Sequence, residues 1–216
     1  MRQRVGHRLS VRQATRRPFA QTGACRPGER DVTTARGPGA IGVEAADTDP
    51  PRNLLEGCAV SEVAELRQRL ARIEDERAIE RLIASYGPLV DSGDAEATAA
   101  LWSREGSYDV EDWRMRGRGE VAAMVGSDAH QGLIGRGCLH FHGPAVVTVA
   151  GDEAVAVCES LLVVRHEGRN VVARTGANHF RLRRIEDRWQ ITARVTRTLD
   201  GDAAARDLLT AGIEGR

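Results

Sequence analysis

The chain has 216 residues, 41% of them hydrophobic and 29% charged, which is typical of a soluble globular protein with one domain and tails. Its 31 basic residues, all arginine, are balanced by 31 acidic residues, so a nucleic-acid-binding domain is not favoured. No apolar stretch approaches the ~20 residues that cross a bilayer, and the four cysteines lack the C-x-x-C spacing of a zinc or redox site. A cytoplasmic protein with reduced thiols is therefore expected.

Residues 1–59 differ in composition from the rest of the chain. The first 28 residues contain no acidic residue, and the stretch that follows is rich in Gly, Pro and Thr without helical or strand periodicity. An organelle transit peptide and a leader outside the natural product, with translation starting at Val60, are both compatible with this composition. We expect a disordered or misassigned leader at 1–59, a folded domain at 60–202 and a C-terminal tail at 203–216.

An amphipathic helix is predicted from Ser61 onward, with Ser61 as its N-cap. Apolar residues recur there at three- and four-residue steps: Val63, Leu66, Leu70, Ile73, Ile79, Leu82, Ile83 and Tyr86. Gly87-Pro88 should kink or end this helix, with one further turn reaching Asp91. Asp94 then caps a short helix that is expected to close at Trp102.

Strands dominate the second half of the sequence. A short strand is predicted near 107–110 and a short helix near 120–125, followed by four strands at 138–149, 154–166, 170–184 and 189–199 with hairpin-like connections. Helices followed by a run of antiparallel strands predict an α+β fold with helices packed on one face of a sheet. In the segment CLHFHGP, His140 and His142 lie two residues apart and share one strand face.

Three separated strings resemble SnoaL-like proteins of the nuclear transport factor 2-like superfamily. They are ERLIASYGPLVDSGDAEATAALWSREGSYDV, CLHFHGPAVVTVAGDEAVAV and NHFRLRRIEDRWQITARV, in the order that the family has them. The resemblance implies a cone: a curved antiparallel sheet wrapped around the long N-terminal helix, with short helices closing it and an apolar pocket in its mouth. A shared fold does not by itself establish a shared reaction.

Within this superfamily, the chain resembles the scytalone dehydratases and the bile acid 7-alpha-dehydratases at three positions. These relatives place a tyrosine and an aspartate at the end of the first helix and a histidine on the central strand, which correspond to Tyr86, Asp91 and His140. The resemblance implies that His140 is a general base and then acid, that Asp91 orients it, and that Tyr86 donates a hydrogen bond to a substrate carbonyl. Such chemistry needs no cofactor.

Several further residues are candidates for lining the pocket. His142 shares the face of His140, and a metal held by both is disfavoured because metal sites usually have three or more protein ligands. If the turn at Gly151-Asp152 has two residues, His140 lies opposite Val163 and Glu159 shares its face. The substrate-binding candidates are His142, Glu159, Asn178, His179 and Trp113. Arg174, Arg183, Arg194 and Arg197 are expected on a solvated sheet face, although a pocket that binds an acidic substrate could use one of them.

The expected function is that of a dehydratase or isomerase acting on a polycyclic or aromatic hydroxy-ketone. The alternatives are a non-catalytic ligand-binding module or an accessory subunit with the same fold, such as the small subunit of a ring-hydroxylating dioxygenase. The expected partner is a small apolar or aromatic substrate, with no metal, nucleic acid or membrane. Homodimers or higher homo-oligomers are implied by the resemblance.

Overall fold

The computed structural model describes residues 52–111 and 113–216. Residues 1–51 of the expected leader at 1–59 therefore lie outside the described residues. Its last residues, from position 52 onward, belong to the first helix. The helices are α1 (Arg52–Asp91), α2 (Ala95–Ala99), α3 (Gly117–Gly126), α4 (Asp128–Arg136) and α5 (Ala203–Ile213). The strands are β1 (Trp102–Val110), β2 (Trp113–Arg116), β3 (Cys138–His142), β4 (Val146–Ala150), β5 (Glu153–His166), β6 (Arg169–Ile185) and β7 (Arg188–Thr198).

The described strands form one curved, unclosed sheet, which confirms the predicted α+β cone. Its order is β2-β1-β7-β6-β5-β3, and β4 also pairs with β5. The long hairpins of β5, β6 and β7 are antiparallel, as predicted. Strand β1 pairs with β7 in parallel and with β2 in an antiparallel hairpin. The sequence pattern did not indicate this parallel pair.

Helix α1 is longer than predicted and packs on the sheet with its second half. It begins at Arg52, well before the predicted N-cap Ser61. The apolar side chains of its first half remain 46–60% exposed: Val63, Leu66, Leu70 and Ile73. Those of its second half are at most 4% exposed: Ile79, Ile83, Tyr86 and Val90. The second half thus forms the core around which the sheet curves.

The end of α1 places Asp91 beside the sheet. Pro88 lies within the helix, which continues for one more turn to Asp91, as predicted. Gly93 adopts a φ of 77°, and the amides of Gly93 and Asp94 donate to the carbonyls of Val90 and Leu89 at 3.1 and 3.2 Å. This is a Schellman motif, in which a left-handed glycine closes the helix. Asp94 then caps α2 by accepting from the amide of Ala97 at 2.9 Å, as predicted, although α2 ends at Ala99 and Trp102 starts β1.

The predicted strand at 138–149 is two strands, and this division changes the register. Strand β4 pairs as a two-residue turn predicts, with Val146 opposite Val157. The chain leaves the ladder at Gly143 and Pro144 and re-enters it in β3 with a shift of one residue, so that His140 lies opposite Leu162 and not Val163. A one-residue shift moves every partner side chain to the other face of the sheet. The predicted pairing of His140 was therefore wrong.

The C-terminal residues, expected as a tail, form α5. Asp202 caps the helix, and Ala205 is buried at 1% exposure. A Cβ added to Gly212 would lie 2.3 Å from Cβ of Val157, so the helix backbone approaches β5 closely. Helix α5 therefore covers the sheet face opposite α1. Within the described residues, no helix is both long enough and apolar enough to span a bilayer.

Candidate active site

A cavity of about 220 Å³ opens between the last turns of α1, helix α4 and the concave side of the sheet. Its lining includes Tyr86, Trp113, His130, His140, Arg174 and Arg194. The volume exceeds the ~150 Å³ of an apolar cavity that takes up benzene. A ligand with one or two rings therefore fits inside it.

Asp91 and His140 form a hydrogen-bonded pair at this cavity. The Asp91 Oδ1 lies 2.6 Å from Nδ1 of His140, and Asp91 Oδ2 accepts from the backbone amide of His140 at 2.8 Å. The Sγ of Cys138 contacts Asp91 Oδ1 at 3.5 Å. Asp91 occupies the C-terminal turn of α1, where the helix dipole disfavours an acid. Its three donors from β3 offset this unfavourable position.

The Asp91 contact sets the protonation pattern of the His140 ring. A carboxylate accepts at Nδ1, so Nδ1 carries the proton in the neutral ring and Nε2 holds the lone pair. Burial lowers the pKa of His140 from 6.5, and Arg194 and Arg174 lower it further, while Asp91 acts in the opposite direction. His140 is therefore neutral near pH 7. Its side chain lines the cavity, and Nε2 is its basic nitrogen.

His130 is a second histidine at the site and was not among the residues predicted from the sequence. Its ring stacks on that of His140, with the centroids 5.4 Å apart and the planes at 23°. Its Nε2 is buried without a hydrogen-bond partner among the described residues, and burial lowers its pKa. His130 is carried by α4, which was not predicted. Ser127, whose side chain accepts from the amide of His130, was the N-cap signal for this helix.

Tyr86 lies at the inner wall of the cavity. Its ring stacks on His142 at 5.2 Å and meets the His140 ring edge-on at 6.2 Å. Burial raises the pKa of Tyr86 well above its usual value, and the neighbouring Tyr108 hydroxyl raises it further. Tyr86 therefore keeps its proton and can serve as a hydrogen-bond donor.

His142 is fixed in the cavity wall and has no free ring nitrogen. Nδ1 contacts the carbonyl of Ile83 at 3.2 Å, and Nε2 lies 2.9 Å from Nη2 of Arg194. The carbonyl can only accept and the guanidinium can only donate, so Nδ1 carries the proton. Burial and then Arg194 lower the pKa of His142 to about 3. His142 is thus a neutral support for Arg194.

The remaining predicted pocket residues lie in different places. Trp113 is 58% exposed and lines the cavity mouth from β2. Asn178 is fully buried behind the wall, where its Oδ1 accepts from Arg194 Nη2 and Thr196 Oγ1, each at 2.8 Å. Its contribution is to hold Arg194.

Glu159 and His179 do not line the cavity, so two predicted positions are corrected. The register shift in β3 turns Glu159 to the outer face of the sheet, where it is exposed. His179 is paired with Val157 on that same outer face. Its Nε2 lies 2.5 Å from the carbonyl of Arg216, beyond the end of α5. Both side chains are separated from the cavity by the sheet itself.

Among the four arginines predicted on a solvated sheet face, Arg194 differs most from that prediction. It was assigned to a solvated sheet face, but it is 3% exposed and lines the cavity. Arg174 lines the cavity too, whereas Arg183 is exposed and pairs with Glu153 at 2.7 Å. A sequence whose 31 basic residues are all arginine offers no signal that separates one buried guanidinium from the exposed ones.

Asp91, Cys138 and His140 also place three potential metal-ligand atoms within 4.8 Å of one another. The 2.6 Å separation between Asp91 and His140 is that of a direct hydrogen bond. Burial and then Asp91 raise the pKa of Cys138 to about 11, so its thiol is protonated while it contacts Asp91. Asp91 and His140 are thus a carboxylate–histidine pair in direct contact.

Comparisons with known proteins agree with this fold. A family model described as a SnoaL-like domain matches residues 71–195. A solved nuclear transport factor 2-like protein with a cystatin-like fold, from Novosphingobium aromaticivorans, is 44% identical, with a TM-score of 0.66 over 68% of this chain and 96% of its own.

Two more distant structures show the fold alone. A protein of unknown function from Mycobacterium tuberculosis is 22% identical, with a TM-score of 0.53 over 70% of this chain and 92% of its own. A candidate scytalone dehydratase from Novosphingobium aromaticivorans is 21% identical, with a TM-score of 0.50 over 59% and 85%. No functionally curated protein matches the sequence.

Proposed function

Because the chain belongs to the SnoaL-like domain family, we propose that it is a small-molecule enzyme of the dehydratase or isomerase type. The observation that carries the proposal is the contact of 2.6 Å between Asp91 and Nδ1 of His140 at the wall of the cavity. This contact leaves a neutral imidazole with its Nε2 lone pair available to a bound substrate. The proposed substrate is an aromatic or alicyclic hydroxy-ketone of one or two rings, consistent with a cavity of about 220 Å³.

The proposed reaction begins with proton removal from the carbon next to the ketone. His140 Nε2 takes the proton, the electron pair moves into the carbonyl, and an enolate forms. Asp91 stabilises the resulting imidazolium through Nδ1. In a dehydration, the enolate then reforms the ketone, a carbon–carbon double bond appears, and the hydroxyl leaves as water with the proton from His140. In an isomerisation of a β,γ-unsaturated ketone, the negative charge extends to the γ carbon, and the same proton is returned there while the double bond moves into conjugation.

Tyr86 is the proposed donor to the ketone oxygen. Its raised pKa keeps the phenol protonated, and its ring is 6.2 Å from that of His140, so one small substrate can meet both groups. A donor aimed at the oxygen where charge develops lowers the barrier to enolate formation.

Three variants test this function with aromatic and alicyclic β-hydroxy-ketones as substrates. We expect His140→Asn to lower kcat by ~10² or more, because it removes the base. Asp91→Asn keeps an oxygen that can accept from the His140 amide but loses the charge, and a comparable loss of kcat is expected. Tyr86→Phe keeps the packing and loses the donor. Circular dichroism and thermal unfolding would establish that each variant folds.

An unchanged kcat in His140→Asn would contradict the enzymatic proposal. If that variant also bound the substrate with wild-type affinity, the cone would be a binding module or accessory subunit, the alternative considered from the sequence. Substrate binding and turnover are therefore measured on the same preparations.

Homodimerisation is proposed through the outer face of β3, β5 and β6. Leu139, Phe141, Leu161 and Val172 are 37–57% exposed there, and the strand pairings place them next to one another. We expect Leu139→Glu to shift a dimer to a monomer in light scattering. Leu66→Glu, on the exposed part of α1, is the matched control, and loss of the dimer only in that variant would contradict the sheet interface.

A further inference from the structure

The cavity wall contains a buried guanidinium that has no acidic partner there. Arg194 is 3% exposed, and its Nη2 contacts the neutral side chains of His142 and Asn178 at 2.9 and 2.8 Å. Its Nε and Nη1 are buried and have no hydrogen-bond acceptor among the described residues. No aspartate or glutamate is among the described residues that line the cavity.

Aromatic rings offset only part of the cost of burying this charge. The Arg194 guanidinium lies 4.3 Å from the centroid of Tyr86, 4.5 Å from that of Tyr108 and 5.2 Å from that of Phe180. Cation–π contacts are weaker than the desolvation penalty of a buried ion. The nearby carboxylate of Asp91 is already engaged by three donors from β3. Arg194 is therefore left without a counter-ion in direct contact among the described residues.

Arg174 adds a second positive charge on the accessible side of the cavity. It lines the cavity, is half-buried and forms no ion pair with the described residues. Leu162 pairs with both His140 and Arg174, so these two residues lie in one cross-strand row, ~10 Å apart across β5. A ligand that contacts the guanidinium of Arg174 thus extends toward the base.

We propose that the substrate of this enzyme is an anion, a ring compound with a carboxylate that binds at Arg174 and is stabilised by the charge of Arg194 behind it. The inference deepens the proposed function by naming the substrate class. Arg174 provides the direct contact, since a guanidinium binds a carboxylate through two parallel hydrogen bonds. Arg194 provides a fixed charge in a water-poor wall, where electrostatic attraction is strong. The reacting carbon then lies at the His140 end.

The test compares matched acids and amides by isothermal titration calorimetry. Benzoate and 1-naphthoate are the anionic probes, and benzamide and 1-naphthamide are their neutral counterparts. We expect each acid to bind the wild-type protein at least ~10-fold more tightly than its amide, equivalent to one charge-assisted contact. Arg174→Gln and Arg194→Gln should each reduce this preference to ~3-fold or less. Arg183→Gln, at an exposed arginine paired with Glu153, should leave it unchanged.

The outcomes separate this inference from the proposed reaction. Equal binding of acid and amide, no binding of either acid at millimolar concentration, or a retained preference in Arg174→Gln would overturn it. His140→Asn should keep the acid preference while losing turnover. Turnover that depends on His140 without any acid preference would leave the reaction standing and refute the anionic substrate. If Arg194→Gln fails to fold, the wild-type preference and Arg174→Gln still decide the question.

Discussion

Gly87→Ala tests how closely the end of α1 approaches β3. A Cβ at this position would lie 2.1 Å from the carbonyl oxygen of His140, against the 3.4 Å at which ordinary van der Waals contact begins. The obstructing atom belongs to the backbone, so no side-chain rotation relieves the clash and helix and strand must separate. Overpacking of this kind costs about 1–3 kcal/mol, and the helical preference for alanine returns about 1 kcal/mol.

We therefore expect Gly87→Ala to lower the free energy of unfolding by up to about 2 kcal/mol in urea titrations followed by tryptophan fluorescence. The same displacement should pull Asp91 from His140, so kcat should fall more than the loss of stability explains. Gly135→Ala, in α4, is the matched control, because a Cβ there meets no atom within 4 Å. It should stabilise the protein by about 0.5–1 kcal/mol. A Gly87→Ala protein as stable as the control would refute the reasoning.

Three further predictions follow from contacts around the sheet. Because the pKa of His142 is about 3 in the fold and 6.5 in an unfolded chain, stability should be complete above pH 6.5 and fall by up to about 1.4 kcal/mol per unit toward pH 3. His142→Gln should flatten this slope relative to wild type in urea titrations at each pH. Gly212→Ala should lower the melting temperature, with only partial rescue by Val157→Ala, since the clash reaches the Val157 Cβ; full rescue would contradict this contact. Glu159→Gln should leave kcat and substrate binding unchanged, because Glu159 lies on the outer face, and a tenfold loss would place it in the site.

The fold was predictable because its evidence is distributed along the chain. The helical spacing from Ile79 to Val90 and the alternation in the last strands each indicate one element, and the three family strings indicate their order. The signals for helix length were poorer. Ser61 fits an N-cap well, yet the helix begins at Arg52, because local capping preference does not decide where a helix starts when the preceding residues also tolerate helix.

The two central site residues were predictable only through the family pattern. Asp91 alone is a helix-terminal acid and His140 alone a strand histidine, and their contact across 49 positions of sequence has no local signal. The family strings align both positions at once. The structure adds the physical reason for the pair, since the strand offers Asp91 both a ring nitrogen and a backbone amide.

The predicted register of β3 against β5 was wrong because it was derived from the length of the next hairpin turn. A hairpin turn fixes the register only while the ladder is unbroken, and the chain leaves the ladder at Gly143 and Pro144. The resulting shift of one residue exchanges the two faces of β5 relative to β3. It removes Glu159 from the cavity and brings Ser160 to its wall. Pro144 indicated a bend in the strand, but it did not indicate by how many residues the register would shift.

The hydrogen bonds between Asp91 and β3 affect how the same two positions are interpreted in relatives of this protein. The same carboxylate accepts from the ring and from the main chain of His140, so it positions a strand as well as a base. A relative with another residue at position 140 would still gain stability from an aspartate here, because the backbone amide donates whatever the side chain is. An aspartate at this position can therefore be retained for its structural role alone. The proposed chemistry depends on the histidine beside it, so the two residues should be considered separately when members of the family are sorted into enzymes and binders.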